Sequence, residues 1–427
     1  MHFSFPWGHE SLEVELPSGW PVEVLEAADS PPGGADRDLV EEALDRPIGA
    51  RRLEEEVRPG QRVAIVVSDQ TRLWQRADIV VPCLLERLRR AGVRERDVAI
   101  VVAVGMHRPA ATEDMVKVVG REVFERVEVV SHDSRDEANL VSVGRDSRGN
   151  DVRLNRRVVE AERRLITGGI AFHNLAGFSG GAKAVMPGIA GFEVIQANHS
   201  LSLDDAYRLR ASVGKGLLEG NPVAEGIREA GALLGGTYLV NTVAAPSGRL
   251  LRVVAGDLFE AHREGCRAAR LALETPAAGG ASLVVANAGG FRLDGELYQA
   301  IKGLDNATHV AAAGGTIVFS AACEDGVGSD AWEALMRRGD REAIARELSK
   351  SFHFAGYVAL LTMEITDRCR VILVSRLEPE TVRAFGMEPA GSLDEALEPF
   401  RKGGAPVERA CVLPAAMITV PKIVRRP

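Results

Sequence analysis

A single lysine, Lys183, follows a turn of small residues, Ser179-Gly180-Gly181-Ala182, with His173 ten residues before it and His199 sixteen residues after it. Those residue types suit three kinds of chemistry: phosphate binding, metal ligation, or direct use of the amine. A nucleoside-triphosphate loop needs G-x-x-x-x-G-K-[ST], whose hydroxyl binds magnesium. Counted from Gly177, the second glycine falls on Ala182 and the hydroxyl on Ala184, so two of the four fixed positions fail. The glycines still allow backbone to approach a phosphate at a helix N-terminus. Most loop lysines are simply solvated, but no other charge lies between Phe178 and Glu193. A desolvated lysine has a depressed pKa and becomes a nucleophile.

The remaining candidates are three polar clusters. His107, His173 and His199 are three of nine histidines, and each alone reads as an ordinary structural residue. His107 and His173 each follow an apolar run, and imidazole is a common ligand for nickel or zinc. Their spacing matches no HExxH pattern, so a conventional three-ligand zinc site is not indicated. Arg72 follows Asp69-Gln70-Thr71, and is equally a substrate contact or a structural partner of Asp69. Gln299 and Lys302 lie three apart on one face of the expected helix ELYQAIKG. Such a pair grips a carboxylate or forms a plain solvated face.

The elements that must position these residues alternate in type. RVAIVVSDQTR, VAIVVAVGMHRP and RLITGGIAFHN are apolar β-branched runs with polar tails, separated by helical stretches such as ADIVVPCLLERLRRAG. That alternation predicts α/β architecture with mostly parallel sheets covered on both faces. Ligands bind outside the carboxyl ends of such strands, where all three polar tails fall. A second alternating pattern starts near residue 281, after a helical stretch at 258–280. The expectation is two α/β domains, 1–265 for the cofactor and 266–427 for the linker helix and C-terminal domain. The last strand is expected to return to the first domain, and the active site to occupy the cleft between the two. The segment SLEVELPSGWPVEVLE predicts a hairpin.

Composition narrows the classes. The 427 residues carry a net charge of −8, with no basic footprint for nucleic acid or an anionic membrane. Five scattered cysteines form no CxxC pair, which argues against zinc ribbons, iron–sulfur clusters and disulfide frameworks. No signal peptide and no run of about eighteen apolar residues is evident, so a cytoplasmic location is expected.

The set DQTR, GMHRP, FHNLAGFSGGAKAVMPG, QANH, Gly220-Asn221-Pro222 and YQAIKG resembles the nickel-pincer lactate racemase family, in motif order from about residue 60 to the end. The resemblance implies a racemase or epimerase of a 2-hydroxy acid. It implies a nickel pyridinium-3,5-bisthiocarboxylate mononucleotide, covalently attached to Lys183, with Asp69, Gly180 and Gly181 beside it and His199 as the protein's nickel ligand. It further implies His107 and His173 as acid and base on opposite faces of the substrate. Arg72 would meet the hydroxyl region, and Gln299 with Lys302 the carboxylate. Cofactor-building enzymes of the host become necessary partners. The implied chemistry removes the hydroxyl proton while hydride leaves the carbon and later returns to the opposite face.

Leu73 after Arg72 and Met106 before His107 depart from the expected pattern and bear on which hydroxy acid is used. Three alternatives stand beside this reading: an epimerase of a larger sugar acid, a nucleotide-dependent transferase, and a binding protein without catalysis. The absent hydroxyl after Lys183 argues against the transferase, and the presence of both His107 and His173 against the binding protein.

Overall fold

The computed structural model describes residues 1–26, 34–245, 247–403 and 406–424. The chain forms two α/β units: residues 30–204 and 210–272 make one, and residues 1–29, 205–209 and 273–427 the other. This division departs from the expected one at both ends. The segment that crosses is the first, not the last, because Val22–Val24 pairs in parallel with Ala410–Leu413. The final strand, Val420–Ile423, stays in the C-terminal unit and pairs with Glu274–Ala277. The hairpin also shifts: His2–Trp7 pairs with Glu10–Glu15, and residues 22–24 take no part in it.

The first unit is built on a six-stranded sheet. Its spatial order is Leu250–Asp257, Thr237–Ala244, Arg163–Gly169, Val63–Ser68, Val98–Ala103, Glu128–Ser131. All neighbours are parallel except the first two strands. The central strands read VAIVVS and VAIVVA because both faces are covered by helices. The helix Ala77–Arg90 buries Val80, Val81, Leu84 and Leu88 on the core side. Its buried Arg87 is held by Glu41, Asp45 and Glu54 at 2.6, 2.8 and 2.9 Å. Strand order runs outward from 63–68 in one direction, then restarts on its other side with 163–169. That reversal is a topological switch point, where a ligand crevice opens at the carboxyl ends of an α/β sheet. Asp69 and Gly169 stand at those ends.

The second unit carries an all-parallel sheet ordered Glu388–Ala390, Arg370–Val374, Ala311–Ser320, Ala281–Asn287, Ala410–Leu413, Val22–Val24. Helix Leu297–Thr308 follows the 281–287 strand and buries Leu297, Ala300, Ile301 and Leu304. The mostly parallel α/β class expected from the sequence is the class observed.

Candidate active site

Asp69 follows directly on the strand Val63–Ser68 and is buried at 2% exposure. Its Oδ1 accepts from the Thr71 amide at 3.0 Å and the Thr71 hydroxyl at 2.5 Å. Its Oδ2 accepts from Arg72 Nη1 at 2.6 Å and faces His107 Nδ1 at 3.0 Å. Burial pushes this carboxyl up, but the His107 hydrogen bond, the Arg72 charge and the Thr71 bond outweigh it and hold it well below the usual range. Asp69 thus joins Arg72 and His107 in one network, and Arg72 is indeed its structural partner.

The glycine turn lies beside the next strand over. Gly180 and Gly181 have φ of 76° and 56°, a region that favours glycine. A Cβ on Gly180 would meet Asn241 Oδ1 at 2.5 Å, and one on Gly181 the His262 ring at 2.6 Å. Asn241 Oδ1 accepts from the Gly181 amide at 2.7 Å, and His262 Nε2 donates to the Ser179 carbonyl at 3.0 Å. Ser179 Oγ donates to the Gly169 carbonyl at 2.7 Å. Beyond the turn, His132 Nε2 donates to the Ala190 carbonyl at 3.0 Å and its Nδ1 accepts from Asn155 at 3.2 Å.

Lys183 sits in the short turn Gly181–Ala184. Burial and, less strongly, the Arg72 charge lower its amine to about 7 against the opposing pull of Asp69. His199 lies in the last turn of helix Phe192–Ser200. Burial, then the Lys183 charge, lowers its imidazole to about 3, so it is neutral at physiological pH. Its Nδ1 faces Asn198 Oδ1 at 3.1 Å. Asn198 Nδ2 in turn donates to the Val223 carbonyl at 3.1 Å.

His173 belongs to a two-residue strand, Phe172–His173, paired with Gly177–Phe178. Its Nδ1 accepts from the Leu175 and Ala176 amides at 3.1 and 3.2 Å. Asn221 Nδ2 donates to the Leu175 carbonyl at 2.8 Å, while its Oδ1 caps helix Pro222–Leu234. In the second unit, Lys302 Nζ donates to Gln299 Oε1 at 2.5 Å, so these two do share a helix face.

The first unit therefore brings Asp69, Arg72 and His107 into direct contact, and places Lys183 within electrostatic reach of Asp69, Arg72 and His199. Sequence reading missed Asn241, His262, Asn155 and His132. Only Asn241 carried a signal, an amide side chain within the strand-forming run TYLVNTVA. Among the described residues, no group of three or more His, Cys, Asp or Glu is placed to hold a metal.

The site lies at the switch point of a mostly parallel sheet and joins a lysine whose amine is lowered to about 7 with a histidine backed by a carboxylate, perturbed groups of the kind that mark a functional site in an α/β fold. Residues 7–209 match the lactate racemase N-terminal domain and residues 277–419 the lactate racemase C-terminal domain. The chain is 31% identical over 395 residues to the lactate racemase of Lactiplantibacillus plantarum, covering 91% of each. It is 29% identical over 415 residues to that of Thermoanaerobacterium thermosaccharolyticum, covering 93% of each. The lactate racemase apoprotein structure from the latter organism superimposes with a TM-score of 0.87 at 27% identity, over 99% of this chain and 100% of that one. A Thermotoga maritima protein, with a TM-score of 0.63 at 18% identity, shares the fold. The chain belongs to the lactate racemase family, and it is an isomerase of the racemase class. Among the described residues, no helix is long and apolar enough to cross a membrane.

Proposed function

We propose that this enzyme racemises lactate or a closely related 2-hydroxy acid, with a nickel-pincer nucleotide tethered to Lys183. The observation that carries the reading is a half-buried lysine, its amine lowered to about 7, within electrostatic reach of a buried, neutral His199. An uncharged amine can be acylated, and an uncharged imidazole can ligate a metal. The donor set thus fits the group. His199 would supply the imidazole ligand, and Asn241 and His262 hold the glycine turn that carries Lys183. When bound, the group supplies an electron-poor ring that accepts and returns a hydride.

The chain's own residues do the rest. His107 takes the hydroxyl proton at Nε2, with Nδ1–H held by Asp69. Arg72 keeps Nη1 on Asp69 and turns its other N–H groups to the oxygen where negative charge develops. His173 meets the oxygen of the opposite enantiomer. Lys302 and Gln299 bind the carboxylate, one by charge and one by its amide donors. The nickel-pincer nucleotide is built elsewhere, so expression must include the enzymes that make it. Intact mass of the protein so expressed tests the tether: an adduct is expected on wild type and none on Lys183→Ala. An adduct of equal mass on the variant removes Lys183 from this role.

A second reading, a larger 2-hydroxy acid such as a sugar acid, draws on Leu73. It is 46% exposed beside Arg72 and lines the same small cavity as Asp69. Turnover across a panel of 2-hydroxy acids of increasing size separates the two.

A further inference from the structure

We propose that His107 and His173 rest in opposite tautomers, fixed by different partners, and therefore enter the reaction unequal. Asp69 is the positioning residue that keeps the His107 proton on Nδ1 and its Nε2 bare. The Leu175 and Ala176 amides keep the His173 proton on Nε2. The geometry stands by itself; its catalytic consequence rests on the racemase reading above.

An ionised carboxylate only accepts hydrogen bonds. Asp69 is held ionised by Arg72 and Thr71. With its Oδ2 3.0 Å from His107 Nδ1, that nitrogen must carry the proton. The opposite tautomer would set two lone pairs against each other. The His107 side chain is 50% exposed. This histidine thus offers an unprotonated Nε2.

At His173 the logic inverts. Two backbone N–H groups converge on Nδ1, at 3.1 and 3.2 Å. A protonated ring nitrogen cannot accept them, so the proton of the neutral ring lies on Nε2. The amides do not turn away readily. Asn221 binds the Leu175 carbonyl at 2.8 Å and also caps the helix that follows. Pairing of His173 with Gly177 closes the turn on itself.

Of these two histidines, only His107 therefore offers a resting proton acceptor, at Nε2. The hydroxyl O–H bond breaks, the proton joins Nε2, and Asp69 stabilises the imidazolium without taking its proton. His173 polarises the oxygen on its own side through Nε2–H. It becomes a base only after its proton leaves Nε2, Nδ1 takes one, and both turn contacts are exchanged.

The test needs neither cofactor nor substrate. The full chain is labelled with ¹⁵N-histidine, and ring proton–nitrogen correlations are recorded at a pH where the imidazoles are neutral. The two signal sets of interest, out of nine histidines, are assigned by their loss in His107→Gln and His173→Gln. The expected result is an Nδ1–H pattern for His107 and an Nε2–H pattern for His173. Asp69→Asn should mix the His107 tautomers and leave His173 unchanged. Wild type should also show a far-downfield, slowly exchanging Nδ1–H proton on His107, which keeps the Asp69 assignment testable if that variant does not fold. The same tautomer at both residues, an Nδ1–H pattern at His173, or no downfield His107 proton overturns the proposal. Failure of the racemase reading looks different: the loaded enzyme would not interconvert enantiomers, whatever the tautomers.

Discussion

Asn198 Oδ1 lies 3.1 Å from Nδ1 of His199, and the amide cannot be turned around because its Nδ2 donates to the Val223 carbonyl. The oxygen therefore accepts from Nδ1–H, and Nε2 is left as the unprotonated nitrogen. A ligand histidine needs this kind of partner to fix its ring, and losing it typically lowers metal affinity about 10–100-fold. Asn198→Ala should reduce nickel retained per protein by that order, measured by metal analysis after dialysis. Retention equal to wild type would show that the asparagine does not set the ligand.

The glycine turn gives a second prediction. Gly181→Ala places a Cβ 2.6 Å from the His262 ring at a φ of 56°. Left-handed strain costs roughly 1–2 kcal/mol and overpacking about 1–3 kcal/mol. Denaturant unfolding should show a loss of a few kcal/mol, and the Lys183 adduct should fall with it. A variant as stable as wild type would mean that the turn relaxes without penalty.

Lys183 gives the pH dependence. The amine is near 10.5 when unfolded and about 7 when folded, so between those values the folded chain binds fewer protons. Its contribution to stability is therefore most unfavourable at and below about pH 7, and the penalty fades as pH rises toward 10.5. Each unit of separation is worth about 1.4 kcal/mol. Lys183→Met should stabilise the protein clearly at pH 7 and hardly at all above pH 10. A gain independent of pH would place the cause in packing instead of charge.

The strands and most helices of both units were legible because continuous apolar runs and helical periodicity survive in one dimension. The stretch TEDMVKVVGREVFERV has continuous helical periodicity but forms two helices, Thr112–Val119 and Arg121–Arg126, since Gly120 adopts φ 82° between them. The crossing of the N-terminal segment was not legible: three residues, Val22–Val24, complete a sheet whose other members lie beyond residue 280. Within the site, Lys183 stood out by its isolation after the glycine turn, while the histidines gained their roles only from the family resemblance. Asp69 read as a cofactor neighbour, yet its bonds go to Thr71, Arg72 and His107. Asn241 and His262 act on the turn from more than 50 residues away in sequence. No local pattern carries such a contact.

Carboxylate capture is tested in the second unit. The chain is negative overall, so an anionic substrate depends on local cations. Losing a charged hydrogen bond typically costs about 1.5–3 kcal/mol, which corresponds to roughly tenfold or more in binding. Lys302→Ala should raise KM by that factor. Unchanged kinetics with every active hydroxy acid would put the carboxylate elsewhere.

The central claim is that the carbon-bound hydrogen moves as hydride and never as a proton. Direct abstraction would leave a carbanion beside an ionised carboxylate, and an imidazole is poorly matched to so weak a carbon acid. Racemisation by the loaded enzyme in heavy water, followed by mass spectrometry of the recovered hydroxy acid, separates the two routes. Hydride transfer predicts that the carbon-bound position stays largely unlabelled, and that substrate deuterated there keeps its label and reacts with a primary isotope effect. Solvent deuterium entering that position in step with racemisation would contradict the account, and with it the roles assigned to Lys183 and His199.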